Sequence, residues 1–423
     1  MPFFRKKSEE QFFVGLDIGT SMVRLAVGQI TAGSGSTPRS QLQIIGAAAV
    51  PTDGVQRGVV TSIEELISSL SSALEQGERM AGFPIESAWV GINGPALLTQ
   101  PSKGVVAVAK TNGEVQSEDV DRVIAAAKSV PLPLNYDLVH VLPRSFAVDN
   151  QSGIKDPTGM TGMRLEVDTT LVYTLSTHVK NLTRAVYRTG LDIDGIVLSI
   201  LAAGASVTTP RQKELGAVVV NIGAVTTSIA VYEEGDTIHV AVLPIGSQHI
   251  TNDIAVGLRV PIDVAERIKI EYGYCVPKDI SKKEIIDLKT VGGDEQEVAS
   301  RHYVAQIIEA RVSEICEKVR RELDRIPHAT QFPSGVIAIG GGSKIGGFIA
   351  QAKNELSLPV ALGYPYDVSS IANISSDITF ATAIGLAKWG ALLEHPSSRK
   401  ISPFAHATTW LQKAGRLKEW LMP

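Results

Sequence analysis

Asp17-Ile-Gly-Thr-Ser-Met-Val-Arg-Leu-Ala-Val27 aligns without a gap on Asn221-Ile-Gly-Ala-Val-Thr-Thr-Ser-Ile-Ala-Val231, with Ile, Gly, Ala and Val at the same places. In the first copy, Phe12 to Ile18 and Met22 to Ile30 are β-rich runs separated by Gly19-Thr20-Ser21, which reads as a hairpin with polar, glycine-containing chemistry at its tip. One such hairpin is an ordinary turn. Its recurrence, with an acid or its amide followed by Ile-Gly at the same point, implies two similar halves.

A third stretch, Ile337-Ala-Ile-Gly-Gly-Gly-Ser-Lys-Ile-Gly-Gly-Phe348, is a buried strand running into consecutive glycines and then an apolar helix. Such a turn exposes several N–H groups at a helix start, which suits phosphates and an adenosine. Taken alone it is only a tight strand-to-helix turn. In the hairpins, Gly19 and Gly223 let the backbone approach a phosphate, and Thr20, Ser21, Thr226 and Thr227 offer donors. Asp17 at the strand end is placed to hold Mg²⁺ through water. Neither GxGxxG nor GxxxxGK[ST] occurs, so Rossmann and P-loop sites lack their defining residues.

The order hairpin, hairpin, triple-glycine turn resembles that of the actin, Hsp70 and sugar-kinase superfamily, and within it the chain is similar to the bacterial cell-division FtsA family. Val14-Gly-Leu-Asp-Ile-Gly-Thr-Ser, Val219-Val-Asn-Ile-Gly-Ala-Val-Thr-Thr and Ile339-Gly-Gly-Gly-Ser resemble that family's two phosphate motifs and its adenosine motif. Gly54-Val-Gln-Arg-Gly-Val-Val, His140-Val-Leu-Pro-Arg-Ser-Phe, Gly153-Ile-Lys-Asp-Pro-Thr-Gly-Met and Ile250-Thr-Asn-Asp-Ile-Ala-Val-Gly-Leu extend the match over roughly residues 12 to 392.

The resemblance implies an α/β, actin-like fold of two duplicated halves with an FtsA-type 1C insert and a C-terminal amphipathic helix. The expected units are 1A (11–87, 167–200, 368–393), 1C (88–166), 2A (201–245, 328–367), 2B (246–327), a linker (394–407) and the helix 408–423. Glu266 and Lys269, one helical turn apart, are expected at the ribose and base, beside Asn221, Gly340, Gly341, Gly342 and Ser343. Implied cofactors are ATP and Mg²⁺. Implied partners are the FtsZ C-terminal tail near 2B, further copies of the chain in a filament, later division proteins and anionic lipids. Arg301 is a candidate for the acidic tail.

The chain departs from the family pattern where Asn221 replaces Asp, Ala224-Val225 replace Gly-Gly, and Met22 replaces Lys. An amide accepts a hydrogen bond from metal-bound water but brings no charge, so slow or absent hydrolysis is expected. Leu198 to Ala205, where hydrolytic relatives place an acid or amide, carries no carboxylate. Competing readings are a PilM-type pilus scaffold and a superfamily small-molecule kinase.

Other segments read from pattern. Ser62 to Met80 and Ser117 to Lys128 have helical apolar spacing, the second capped by Ser117 with Asp119, and Val304 to Ile326 is a long helix. The last segment puts Trp410, Leu411, Ala414, Leu417, Trp420 and Leu421 on one face, with Lys413, Arg416 and Lys418 opposite. Two of the four tryptophans lie there beside cations, as expected of a helix in an anionic headgroup layer.

The 423 residues exceed one ordinary core, and 44% hydrophobic with 20% charged residues is a globular composition. A net charge of −4 gives no global basic field for nucleic acid. Cys275 and Cys316 stand far apart without a CxxC partner, which argues against a disulfide framework or zinc site and fits a reducing compartment. No signal peptide is read at Met1-Pro-Phe-Phe-Arg-Lys-Lys, and the longest apolar run, 196–207, is short of the ~20 residues a bilayer span needs. Any membrane contact is therefore expected to be peripheral, and the family resemblance implies the cytoplasmic membrane face at the division site.

Overall fold

The computed structural model describes residues 11–31, 41–293, 298–326, 332–370 and 373–394. The linker and the amphipathic helix, 395–423, lie outside the described residues.

The repeated hairpins each nucleate a sheet, and the two sheets share one topology. In the first, Phe12–Ile18 pairs antiparallel with Met22–Thr31, which pairs antiparallel with Gln41–Pro51. On its other side Phe12–Ile18 is parallel to Ser87–Ile92, which is parallel to Asp192–Leu198. The second repeats this order with Ala217–Ile222, Thr227–Glu233 and Asp236–Leu243 antiparallel, and Val336–Ile339 and Val360–Leu362 parallel. Val368–Ser370 adds a parallel edge strand to the first sheet. The hairpin tips match at atomic level: Gly19 N–H donates to the Met22 carbonyl at 3.1 Å, and Gly223 N–H to that of Thr226 at 2.9 Å.

Between the sheets lies helix Ser199–Val207, buried along its whole length. The apolar run that is too short to span a bilayer is thus the central seam of the molecule. Helix Ala381–Glu394 crosses it so closely that a Cβ on Gly385 would sit 2.0 Å from the Ala202 carbonyl, and one on Gly15 2.0 Å from that of Ala383. Among the described residues, no helix is long and apolar enough to cross a membrane.

The insert is a four-stranded sheet in the order Leu98–Ala107, Arg164–Leu175, Tyr136–Val148, Gln151–Ile154, covered by helix Ser117–Ala127. Its sheet therefore runs to Leu175, whereas the expected boundaries were 88–166. Ser87–Ile92 belongs to the first sheet, and Arg164–Leu175 pairs along its whole length with insert strands. The strand-like run from Val167 reads equally well as a return to the first half, because alternation alone does not say which sheet a strand joins. The cap of the insert helix also differs: Gln116, not Ser117, is the N-cap, and the buried Asp119 carboxylate accepts from its N–H at 3.0 Å. The long helix runs Arg301–Leu323, capped by Ser300, and begins one turn before the expected Val304.

A cleft between the duplicated hairpins

Both hairpin tips, one face of helix Ile262–Tyr272 and the glycine turn converge on one cleft of about 310 Å³. Asp17, Gly19, Thr20 and Ser21 line it from the first half, and Asn221, Gly223, Thr226, Glu266, Lys269, Gly340 and Gly341 from the second. Thr227, Gly342 and Ser343 do not reach it. The Thr227 hydroxyl is buried and donates to the Ile245 carbonyl at 2.8 Å, and that of Ser343 to the Ile339 carbonyl at 2.8 Å. Gly342 is packed under Ile222. These three shape the loops that others present.

Gly340 has φ +88° and ψ 167°, a region open only to glycine, and a Cβ there would fall 2.3 Å from the Asn221 side-chain oxygen. Its missing side chain brings the glycine turn against the second hairpin. The same hairpin is tied to helix Ser247–Leu258, where the N–H groups of Ser247 and Gln248 donate to the Gly223 and Ala224 carbonyls at 2.9 and 2.7 Å.

The cleft's two acids are both engaged. Asp17 faces Arg24 in register across the first hairpin and the Ser199 hydroxyl at the start of the seam helix. Burial pushes its carboxyl up to about 6, against the opposing pull of Arg24 and Ser199. Burial likewise lowers the Arg24 guanidinium. Glu266 accepts from the Lys269 ammonium at 2.6 Å and from the Thr251 hydroxyl, and Lys269 also donates to Thr251 at 2.8 Å. The pair expected at the ribose and base is thus a built network with a buried lysine.

Among the described residues, two buried polar atoms of cleft-lining side chains have no partner: Arg24 Nε and His178 Nδ1. Unpaired buried polar groups cost about 1 to 3 kcal/mol each, which a polar or anionic occupant would relieve. Asn93, His178 and Ser199 were missed in the sequence because each is a single polar residue outside the motifs, and Arg24, inside the first hairpin, because the second copy has Ser228 in its place. A position just past an apolar strand, as for Asn93 and Ser199, was the one signal available.

Arg301 is less available than expected. Its guanidinium is only partly exposed, pairs with Glu284 and donates from Nε to the Tyr272 carbonyl at 3.1 Å. An acidic tail would have to compete with Glu284.

Residues 94–173 match the model of the SHS2 domain inserted in FtsA, and residues 218–385 that of cell division protein FtsA. Cell division protein FtsA of Pseudomonas aeruginosa is 37% identical over 380 residues, 90% of this chain and 89% of the relative. That of Bacillus subtilis is 36% identical over 93% and 87%, and that of Escherichia coli 30% over 98% and 99%. The chain belongs to the FtsA family. The SHS2 match agrees with the insert sheet rather than with the expected 88–166.

Among solved structures, the PilM–PilN type IV pilus biogenesis complex is similar with TM-score 0.64 and 19% identity, covering 89% of this chain and 98% of that one. MreB5 of Spiroplasma citri bound to ADP is similar with TM-score 0.52 and 15% identity, covering 92% and 98%. At these identities both establish the actin-like fold alone. The family assignment takes precedence over the PilM-type reading, because it rests on full-length sequence identity. Among the described residues, Asp17 and Glu266 are the acids lining this cleft.

Proposed function

We propose that this FtsA-family chain binds ATP in the cleft between its hairpins, polymerises on the cytoplasmic face of the membrane, and anchors FtsZ filaments at the division site. The observation that carries the nucleotide reading is convergence. Residues from four distant stretches, each selected for phosphate, ribose or base chemistry, meet in one cleft whose unpaired polar atoms call for a polar occupant. MreB5, of similar fold, has been solved with ADP and with AMPPNP.

Phosphates would lie against the side-chain-free backbone at Gly19 and Gly223 and the hydroxyls of Thr20, Ser21 and Thr226, with Lys269 and Glu266 toward the ribose. The oxygen donors Asp17 and Asn221 fit a hydrated Mg²⁺, which would supply charge neutralisation on the phosphates. Asn221 is neutral, so the second hairpin brings no carboxylate to bind the ion or to take a proton from water. This supports ATP as a structural and switching ligand turned over slowly.

The amphipathic segment, with Trp410, Leu417 and Trp420 on one face, would bury roughly 1.5 to 3 kcal/mol per large apolar side chain at best, offset by ~1 to 2 kcal/mol per ordered residue. One copy then binds reversibly, and a filament binds firmly through many weak anchors. The test is co-sedimentation with anionic phospholipid vesicles, with and without ATP, of the full chain and of a chain ending at Glu394. The full chain sediments, and more so with ATP, while the shortened one stays in the supernatant. Equal sedimentation of the two chains would refute the anchor.

A further inference from the structure

Asn93 is the first residue after strand Ser87–Ile92, on the chain's way from the first half into the insert, and its side chain crosses the cleft. Its Nδ2 donates to the Thr226 hydroxyl at 3.2 Å, and its Oδ1 accepts from the Ser228 hydroxyl at 3.1 Å. Both partners belong to the second hairpin. The Asn93 carbonyl is 2.9 Å from Nε2 of His178, a buried residue in the first turn of helix Ser176–Arg188, where the chain has just left the insert.

The stem is tightly packed. A Cβ on Gly94 would meet His178 Nε2 at 3.4 Å. Gly58, with φ +76°, lies against Pro95 and the Thr226 methyl, and a Cβ on it would be 3.3 Å from the Pro95 ring. This gives the Gly54 to Val60 stretch, which the cleft chemistry left unused, a place: it buttresses the stem beside Thr226.

We propose that Asn93 is a positioning residue for the terminal phosphate of a nucleoside triphosphate, and that the same contact transmits occupancy of the cleft to the insert. The inference rests on the nucleotide reading given above and extends it. A hydroxyl carries one proton and two acceptor sites. Because Asn93 Nδ2 fills an acceptor site of Thr226, the Thr226 proton is left to donate elsewhere, and the occupant of the cleft is the partner within reach. Ser228 fixes the amide in that orientation by donating to Oδ1. His178 holds the backbone: the Asn93 carbonyl can only accept, so Nε2–H donates to it, while burial lowers the imidazole pKa.

The consequence for the insert follows from connectivity. Asn93 and His178 stand at the entry and exit of the insert, so a phosphate that tightens Thr226 also tightens both of its stems. The coupling is a local hydrogen-bond rearrangement at a joint between two rigid sheets, and it works through differential binding of nucleotides with and without the terminal phosphate.

The test uses the full chain and its Asn93→Ala, Asn93→Asp, Thr226→Ser and Thr226→Val variants, titrated with fluorescent ATP and ADP in the presence of Mg²⁺. Hydrogen exchange of residues 93–175 is followed in parallel. Asn93→Ala weakens ATP about tenfold, the scale of one hydrogen bond to a charged group, and ADP less than about twofold. Asn93→Asp weakens ATP further, because a carboxylate takes the Thr226 proton and repels phosphate. Thr226→Ser retains the preference for ATP and Thr226→Val loses it. ATP slows exchange at the insert stems in the parent chain but not in Asn93→Ala.

Equal losses for ATP and ADP, or an insert response that survives Asn93→Ala, would overturn the proposal while leaving the nucleotide site intact. If the parent chain binds neither nucleotide, the nucleotide reading itself fails, and this inference fails with it.

Discussion

Replacing His140 with Gln should flatten the acid side of the stability profile. His140 is 3% exposed on insert strand Tyr136–Val148, and its Nε2 accepts the Leu198 N–H at 2.9 Å, just where the seam helix begins. The ring also stands edge-on to Trp389, with centroids 6.3 Å apart. Burial lowers its pKa from 6.5 to about 4. The folded chain thus holds a neutral imidazole that the unfolded chain protonates below 6.5. The unfolded state binds more protons in this window, so stability is fully present above pH 6.5 and is lost as pH falls toward 4.

The full loss is about 3 kcal/mol, of which about 2 kcal/mol is spent by pH ~5. Gln keeps an acceptor for Leu198 but cannot take up a proton. Urea denaturation of both chains between pH ~7.5 and ~5 gives the difference directly, and the opposite contribution of Asp17, whose raised pKa favours the folded state on acidification, is common to both and cancels. The parent chain should lose about 2 kcal/mol more than His140→Gln over this range. Parallel decline of the two would refute the assignment of a neutral, buried His140 at this joint.

Gly340→Ala should abolish nucleotide binding and destabilise the fold by about 1 to 3 kcal/mol from backbone conformation alone, read by titration and thermal melting. Gly385→Ala drives a methyl into the Ala202 carbonyl at the crossing of the seam helices, so a loss of at least about 1 to 3 kcal/mol is expected in denaturant. Lys155→Ala removes the partly exposed contacts from the insert to the Asp236 carboxylate and the Glu234 carbonyl, the latter at 2.7 Å; global stability should change by less than about 1 kcal/mol. Exchange in Gln151–Ile154 should nonetheless quicken. With purified chain and Mg-ATP, a turnover of several ATP per minute would contradict the slow-hydrolysis reading.

The architecture was legible because duplication writes itself into sequence. Two hairpins alike at Ile-Gly and at Ala-Val imply two sheets alike in order, and the glycine turn completes the second. Pattern could not assign Arg164–Leu175 to the insert, since an alternating strand fits either sheet and partner choice is decided by contacts distant in sequence. Within the cleft, glycines and hydroxyls announced themselves by clustering. Asn93 and His178 did not, because their importance comes from a meeting of residues 93, 178 and 226 that only the fold arranges. Thr227, Gly342 and Ser343 lie within the right motifs yet face the core, since neighbours along a strand or turn point to opposite sides. Arg301 looked like a free cation because nothing local reveals that Glu284 folds back against it.

The central claim, that the cleft between the hairpins is a nucleotide site, is tested most directly by thermal unfolding of the full chain against rising Mg-ATP. Binding to the folded state alone predicts a saturable midpoint increase, about 2.7 kcal/mol of stabilisation at a hundredfold excess over Kd, absent in Gly340→Ala. A midpoint that stays unmoved in the parent chain, or that rises equally in Gly340→Ala, would contradict it.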